Sequence, residues 1–373
     1  MRIVEVKLFR VDLPLADPFQ HASSGLINTL QEVVASVKTD TGLIGYGEVR
    51  GNCTYVTGDT PDRVIAAASF LAPLLIGEPL EDLGPLLERM ERAIVGNSAA
   101  KALLDIALHD ALARVLGVSV ATLLGGRRSD LLPTDDSVAF AAPEETAKRA
   151  RSSIREGYRV IKVRVGLSLE KDEARLTAVR EVIDDEPEGS EVTLAADANG
   201  TWQPKEAIGY LRRWEKYRLG WIEQPVGADM IDGLRLVREN VAIPVMADES
   251  AKGPKEVLRL IEERAVDMLH FKLIKAGGFV PLRAMEAIAE AAGIPYMIGQ
   301  MDEGMLATAA AVHAGAASQA WFFEIHGYKR VKFQPFRGLE IRRGAMVVPK
   351  VPGLGVEVDE TALSCVHVVG EKG

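Results

Sequence analysis

Between residues 137 and 324 the sequence alternates short β-rich runs with amphipathic helical stretches, and it does so through eight runs. The runs are Ser137–Ala141, Val160–Val165, Val192–Ala196, Leu219–Ile222, Ile243–Ala247, Met268–Leu273, Pro295–Ile298 and Trp321–Glu324. Most are apolar on both faces, as strands covered on both sides must be. Between them lie Glu144–Glu156, Glu170–Asp184, Pro204–Tyr217, Ile231–Glu239, Pro254–Arg264, Phe279–Ala292 and Met305–Gly315, with apolar residues at helical spacing. Such alternation predicts a parallel sheet with crossover helices, and eight units suit closure into a (β/α)8 barrel. An open doubly wound sheet is the weaker alternative, because no Gly-x-Gly-x-x-Gly follows an early strand.

The chain ahead of the barrel reads differently. Ile3–Asp12, Glu32–Thr39 and Leu43–Val49 predict strands, the last two joined by the turn residues Thr39-Asp-Thr-Gly42. Pro14–Leu30 and Arg50–Pro61 read as long irregular loops, of the kind that carry function. Helices are predicted at Pro61–Leu75, Leu83–Val95 and Asn97–Leu116, and Gly117 ends the last. The division expected is an α+β capping domain over residues 1–128, a barrel over 129–337, and a tail over 338–373 whose alternating stretch 338–359 rejoins the N-terminal strands.

Composition narrows the partners. The 373 residues carry 44 Lys and Arg against 53 Asp and Glu, a net charge of −9 that disfavours a phosphate backbone. The two cysteines, Cys53 and Cys365, supply neither a disulfide framework nor a Cys-rich zinc module, and they suit a reducing cytoplasm. The N-terminal stretch is punctuated by charges and has no signal-peptide core. Met305–Phe323 is rich in Ala and interrupted by His313, Ser318 and Gln319, which fits a buried helix better than a membrane span. The expected partner is therefore a small molecule, with neither nucleic acid nor membrane.

In a barrel the chemistry stands at the C-terminal ends of the strands. Runs three, four and five end at Asp197, Glu223 and Asp248, 26 and 25 residues apart. One such acid is an ordinary loop residue that caps the next helix. Three on neighbouring strands, about 5 Å apart, repel one another in a partly dry site, and a divalent cation relieves that repulsion. An all-oxygen set suits Mg²⁺, and the lack of His or Cys among the three argues against zinc. Lys162 and Arg164 share one face of run two, and Lys272 ends run six, opposite it in an eight-stranded barrel. Lys272 sits in an apolar run where a lone cation would be costly, so a catalytic base is the reading it invites, with burial and the metal lowering its pKa. A substrate carboxylate on Mg²⁺, helped by Lys162, would then give an enediolate as Lys272 takes the α-proton. His109 and His313, on apolar helices, read as core residues. His270 reads as structural, and Gly277-Gly278 is discounted as a phosphate cradle, since barrel phosphate sites follow later strands.

These motifs together resemble the enolase superfamily, in its mandelate racemase/muconate lactonizing enzyme family and specifically the muconate-lactonizing subgroup. The resemblance runs through Gly45-Tyr-Gly-Glu48, Ala102-Leu-Leu-Asp105, Leu123-Leu-Gly-Gly126, Lys162-x-Arg164, Asp197-x-Asn199, Glu223-Gln-Pro, Asp248-Glu249, Lys272 with Gly277-Gly278, and Pro352-Gly-Leu-Gly355. It implies a modified TIM barrel under an α+β cap, and Mg²⁺ held at Asp197, Glu223 and Asp248. Asn199 and Glu249 would support those ligands from behind, with the base at Lys272 and a homo-oligomeric assembly. One departure stands out: the subgroup's second Lys on strand two is Arg164 here, and a guanidinium surrenders a proton poorly. An isomerase of cycloisomerase or racemase type is the first expectation. A dehydratase and a non-catalytic carboxylate-binding barrel are the alternatives. Arg164 would hold a substrate carboxylate by paired hydrogen bonds. Substrate contacts are sought at His21, Ser23 and Tyr55 in the two early loops, and at Asp302, Glu303, Glu324 and His326 after the last strands.

Overall fold

The computed structural model describes residues 1–20 and 24–370. Eight parallel strands follow one another around the barrel: Asp136–Val138, Val160–Arg164, Thr193–Asp197, Ile222–Glu223, Val245–Ala247, Met268–Lys272, Tyr296–Gly299 and Phe322–Glu324, here barrel strands one to eight. Each pairs with the next in chain order, and Thr134 bridges back in parallel to Phe323, so that the sheet nearly closes on itself. Val160, Ala195, Trp221, Met246, Met268, Met297 and Phe322, at the strands' N-terminal ends, cluster as an apolar plug.

The cap is a four-stranded antiparallel sheet, ordered Ser364–Gly370, Ile3–Gln20, Leu26–Thr39, Ile44–Arg50. The segment expected as an irregular loop at 14–30 is instead mostly strand. Leu13 faces Leu30, Pro14 faces Thr29, and Phe19 faces Ile27, with a break in register between Pro14 and Phe19. That break absorbs Pro14 and Pro18, which cannot donate to a regular ladder, and so hides the strand from a pattern reading. The tail also differs from expectation. Within 338–359, Ile341–Arg342 and Ala345–Val347 pair with each other, the latter also with Leu131–Pro133, and Glu357–Val358 with Phe336–Arg337. It is Ser364–Gly370 that joins the N-terminal sheet.

Three helices, Pro61–Leu71, Leu83–Ala93 and Ser98–Leu116, complete the cap. The longest lies very close to Ile44–Arg50, because a Cβ at Gly45 would stand 2.2 Å from the Ala111 nitrogen and one at Gly47 2.2 Å from the Leu103 carbonyl oxygen. Only glycine permits that approach. Cap and barrel are tied by buried carboxylates. Glu48 accepts from the Ala307 N–H at 3.0 Å, in the first turn of helix Met305–Ala317. Asp105 accepts from the Phe279 N–H at 2.9 Å, at the start of Phe279–Ala292. Each satisfies an otherwise orphaned N–H at the start of a helix. Asp110 accepts from Tyr46 N–H at 2.8 Å and Leu354 N–H at 2.7 Å, which fastens the Pro352-Gly-Leu-Gly355 turn to the cap. Helix Met305–Ala317 is buried along its whole length, and among the described residues no helix is long and apolar enough to cross a membrane.

Candidate active site

The rim of the barrel and the loop after Arg50 line a narrow cleft, its free volume only about 20 Å³. Its walls are Tyr55 and Val56 from the cap, then Arg164, Asp197, Asn199, Asp248, Glu249 and Lys272, and finally the turns after strands seven and eight, with Gln300, Met301, Asp302, Glu324, His326 and Gly327. Most of the residues singled out from the sequence therefore converge. Lys162 and Glu223 are fully buried and do not line the chamber. Glu303 also turns away and accepts from the Arg50 and Met301 N–H groups at 3.4 and 3.1 Å. His21 and Ser23 lie outside the described residues.

Ion pairs run continuously through the site. Lys162 Nζ stands 2.8 Å from Glu223 Oε2 and 2.7 Å from Glu324 Oε1. Arg164 Nη1 reaches Asp197 Oδ2 at 3.0 Å and Asn199 Oδ1 at 3.2 Å. Asn199 Nδ2 joins Asp197 to Glu249, at 3.1 and 3.2 Å. Lys272 Nζ donates to Asp248 Oδ2 at 2.7 Å, and Lys275 grips the other oxygen of the same carboxylate.

The electrostatics divide the acids in two. Burial, then the Glu223 charge, pushes Asp197 up to about 7. Burial and the charges of Asp248 and Asp197 push Glu249 up to about 8. Burial opposes ionisation of Asp248 too, yet Lys272 and Lys275 hold it well below the carboxylate range. Glu324 is held down against its burial by Lys162 and Lys272. Lys272 departs from the expected lowering. Burial does act downward, but Asp248, Glu324 and Glu223 outweigh it, so the ammonium form is favoured.

These residues suit a hard divalent cation. Oxygens dominate the donor set and sulfur is lacking from it. Glu249 Oε2 is buried without a hydrogen-bond partner, and burial and the Glu223 charge resist ionisation of Asp197 despite Lys162 and Arg164. Glu223 and Asp248 offer donor atoms within 4.8 Å of each other and of a nitrogen of His270. Asp197 is the register partner of Glu223 on the adjacent strand, but its carboxylate is turned to Arg164 and Asn199. His270 Nδ1 lies 2.8 Å from Glu223 Oε1, and an ionised carboxylate only accepts, so Nδ1 carries the proton. A ring nitrogen donating in this way is not free to bind a metal. His270 orients Glu223 from beneath, as outer partners of metal ligands do. Gly299 makes room for it, since a Cβ there would stand 2.0 Å from Nε2.

Sequence reasoning missed Lys275, although Lys272-x-x-Lys275 sets both amines on one turn once the strand bends into Leu273–Ala276. It also missed Arg330, which follows the last strand and reaches Asp302 at 3.5 Å. Other motifs prove structural. His109 Nδ1 bonds the Asp105 carbonyl at 2.8 Å, and a Cβ on Gly278 would collide with Asp105.

A near-closed parallel barrel under an antiparallel cap, with carboxylates and amines facing one another at the rim, defines a capped-barrel enzyme. Residues 145–362 match the family described as Enolase C-terminal domain-like, and residues 3–125 match the Mandelate racemase / muconate lactonizing enzyme, N-terminal domain. The chain belongs to the mandelate racemase/muconate lactonizing enzyme family of the enolase superfamily, and it is an isomerase. It is 37% identical to an L-Ala-D/L-Glu epimerase of Clostridium acetobutylicum over 86% of this chain and 88% of that protein. It is 33% identical to an L-Ala-D/L-Glu epimerase of Bacillus subtilis over 95% and 97% of the two chains. The crystal structure of a dipeptide epimerase from Cytophaga hutchinsonii, complexed with Mg and the dipeptide D-Ala-L-Val, superposes with a TM-score of 0.93 at 30% identity, covering 99% of this chain and 100% of that one.

Proposed function

We propose that this chain is a Mg²⁺-dependent isomerase that moves the proton α to the carboxylate of a small acid, with Lys272 as its base. One observation carries the reading. Lys272 projects into the chamber beside Asp248, while Asp197 and Glu249 face the same space with their negative charge incompletely matched. Asp197, Glu223 and Asp248 would hold the ion. Bound there, Mg²⁺ supplies a Lewis acid for the substrate carboxylate and offsets the charge that keeps Lys272 protonated. Lys272 Nζ takes the α-proton and returns it. Lys162, locked between Glu223 and Glu324, adds fixed positive charge beneath the enediolate that forms as the proton leaves. Tyr55 and Val56 from the cap and Met301 from the rim line the cleft and would limit the water around the reacting carbon.

Arg164 limits the reaction to one proton-transfer face. Burial works to lower its pKa, but Asp197, Asp302 and Glu324 more than compensate and keep the guanidinium charged. Arg164 is then a poor general base, and the isomerisation that a single base at Lys272 supports is one in which the carbanion rearranges within the substrate, as in a cycloisomerisation. Epimerisation, the reaction for which the relatives are named, would need a second proton-transfer group in place of the lysine that Arg164 replaces.

The test is deuterium incorporation at the α-carbon of dipeptides, N-acyl amino acids and diacids in D₂O. Wild type with Mg²⁺ is expected to exchange at least one of them with retention of configuration. Chelation should abolish exchange and added Mg²⁺ restore it. Lys272→Ala should lose at least about 10³-fold, the upper range for a general base. Exchange that survives Lys272→Ala removes the proposal.

A further inference from the structure

We propose that His326 is a second proton carrier, on the side of the cleft opposite Lys272, and that through it the chain slowly inverts the α-carbon it opens. The proposal rests on the reading above, in which Lys272 takes the α-proton and most protons return on its own face.

Arg164 leaves the far side of the cleft without a base of its own, so the other groups there decide whether that face receives a proton. Lys272 ends barrel strand six. His326 comes two residues after Glu324, the end of strand eight, and its ring lies against strand one, with Nδ1 3.4 Å from Asp135 and Nε2 3.9 Å from Asp136. In the order of the sheet, strand one is the neighbour of strand two, and Thr134 bridges it to strand eight. His326 therefore stands on the Arg164 side, and it lines the cleft together with Lys272.

The ring is set for proton transfer. Asp135 Oδ1 and Thr134 Oγ1 each lie 3.4 Å from Nδ1. Asp135 Oδ1 is buried and has no hydrogen-bond partner of its own, and Thr134 Oγ1 already accepts from the Ile325 N–H at 3.0 Å. These oxygens keep a proton on Nδ1. Asp136 Oδ1 is beyond hydrogen-bond reach of Nε2, which leaves that nitrogen to trade one. The charged and titratable groups around the ring are Asp135 and Asp136 from strand one, Asp302 from the turn after strand seven, Tyr158 ahead of strand two, and Arg330 on the segment of His326 itself. Burial and Arg330 oppose the imidazolium, but Asp135 and Asp136 outweigh them and raise the pKa above its ordinary 6.5. The ring thus holds a proton it can release, as a guanidinium does not.

A carrier must also be recharged. His326 lines a second cavity as well, of about 280 Å³ free volume, bounded by Asp17 of the cap, helix Pro143–Arg155 and strand one. Asp17, Asp136, Arg149, Glu156 and Lys329 make its walls polar, which suits water. The steps then balance. Lys272 Nζ takes the α-proton, and the enediolate carbon takes the Nε2 proton of His326 on its other face, forming a C–H bond of inverted configuration and a neutral imidazole. Water in the second cavity returns a proton to the imidazole, and Lys272 yields its own to solvent after the product leaves.

Chiral chromatography with mass detection, in D₂O with the Mg²⁺-loaded protein, reads exchange and inversion from one sample. The panel is the same dipeptides, N-acyl amino acids and diacids, each as a single enantiomer. Wild type is expected to invert an acid that it exchanges, more slowly than it exchanges it and above the enzyme-free rate. His326→Ala should lower the ratio of inversion to exchange at least about 10²-fold, the lower range for a positioned acid or base. Free imidazole, small enough for the second cavity, should restore inversion to that variant with saturation. Asp135→Asn keeps the shape behind the ring, loses its charge, and should lower the ratio at least tenfold. It decides the matter where circular dichroism shows His326→Ala unfolded. Exchange without inversion overturns this proposal and leaves Lys272 in place. So does a ratio unmoved in His326→Ala, or a loss there that imidazole does not restore and Asp135→Asn does not share. Exchange of no acid at all sinks the reading of the site, and this inference with it.

Discussion

His313 should make the joint between barrel and cap sensitive to pH, and the size of the effect follows from its surroundings. The residue is fully buried on helix Met305–Ala317. Its Nδ1 accepts from the Ala121 N–H at 3.2 Å, and Nε2 is 3.1 Å from the Leu354 carbonyl oxygen, which only accepts. Both nitrogens are satisfied by the neutral Nε2–H tautomer, and protonating Nδ1 would set a donor against a donor. Burial lowers its pKa from 6.5 to about 4. The unfolded chain then holds more protons than the folded one between these values, so the stabilisation is whole above about pH 6.5 and is lost as pH falls toward 4. Linkage over that shift is worth about 3 kcal/mol in full, and about 2 kcal/mol between pH 7.5 and pH 5. His313→Gln keeps a donor for Leu354 and cannot titrate. It forfeits the Ala121 bond, a constant offset of about 1 kcal/mol at every pH. Urea unfolding of both proteins from pH 7.5 to 4.5 should show wild type losing about 2 kcal/mol more than the variant by pH 5. Parallel curves, differing by the offset alone, would refute the tautomer argument.

Other expectations follow from the same geometry. Burial pushes Glu48 up to about 8 from an ordinary 4.5, so the folded state holds a proton that the unfolded chain has released, and stability falls as pH rises through that window. Glu48→Gln should therefore gain on wild type in thermal midpoint between pH 5 and pH 8, and a constant difference would count against it. Asp105→Ala removes the acceptor at the start of Phe279–Ala292 and should lower stability by about 1–2 kcal/mol in urea titrations. Arg164→Lys places an amine opposite Lys272, and chiral analysis of exchanged product should show inversion at least tenfold above wild type. Gly299→Ala drives a methyl into His270 and should weaken Mg²⁺ affinity about 10–100-fold in calorimetry, the range for disturbing a partner of a metal ligand. An unaltered affinity would remove His270 from that role.

What was legible in the sequence was whatever repeats or stands at a fixed offset. Eight apolar runs at regular spacing give the barrel, since each needs the same covering on both faces. Asp197, Glu223 and Asp248 were visible because a strand end is a fixed place in that rhythm. The extension of the first two strands through Pro14 and Pro18 was not, because a register break sustained by pairing with a distant segment leaves only irregularity in the local pattern. The direction of the Lys272 shift was equally hidden. Its sign depends on how many acids crowd the amine, and Glu324, from the far end of the barrel in sequence, is one of them. Arg330 and Lys275 escaped for a related reason: each is one basic residue among many until the fold sets it against a particular acid.

The motifs that carried the resemblance therefore do different physical work. Gly45 and Gly47 admit a helix against a strand, Glu48 and Asp105 cap two barrel helices, and Asp110 with the Pro352–Gly355 turn binds the cap to the tail. These residues hold the cap over the rim and lie outside the cleft lining, so they leave the choice of substrate open. On the proposed reading that choice would fall to residues that line the cleft: Tyr55, Arg164, Asp302 and His326. On that reading Arg164 is the one whose change would alter both chemistry and recognition, since a guanidinium in place of an amine would remove a base and offer a carboxylate fork in a single step. A relative that kept the amine would gain a second proton-transfer face and lose the fork. Substrate class and stereochemical outcome should accordingly change together at this position.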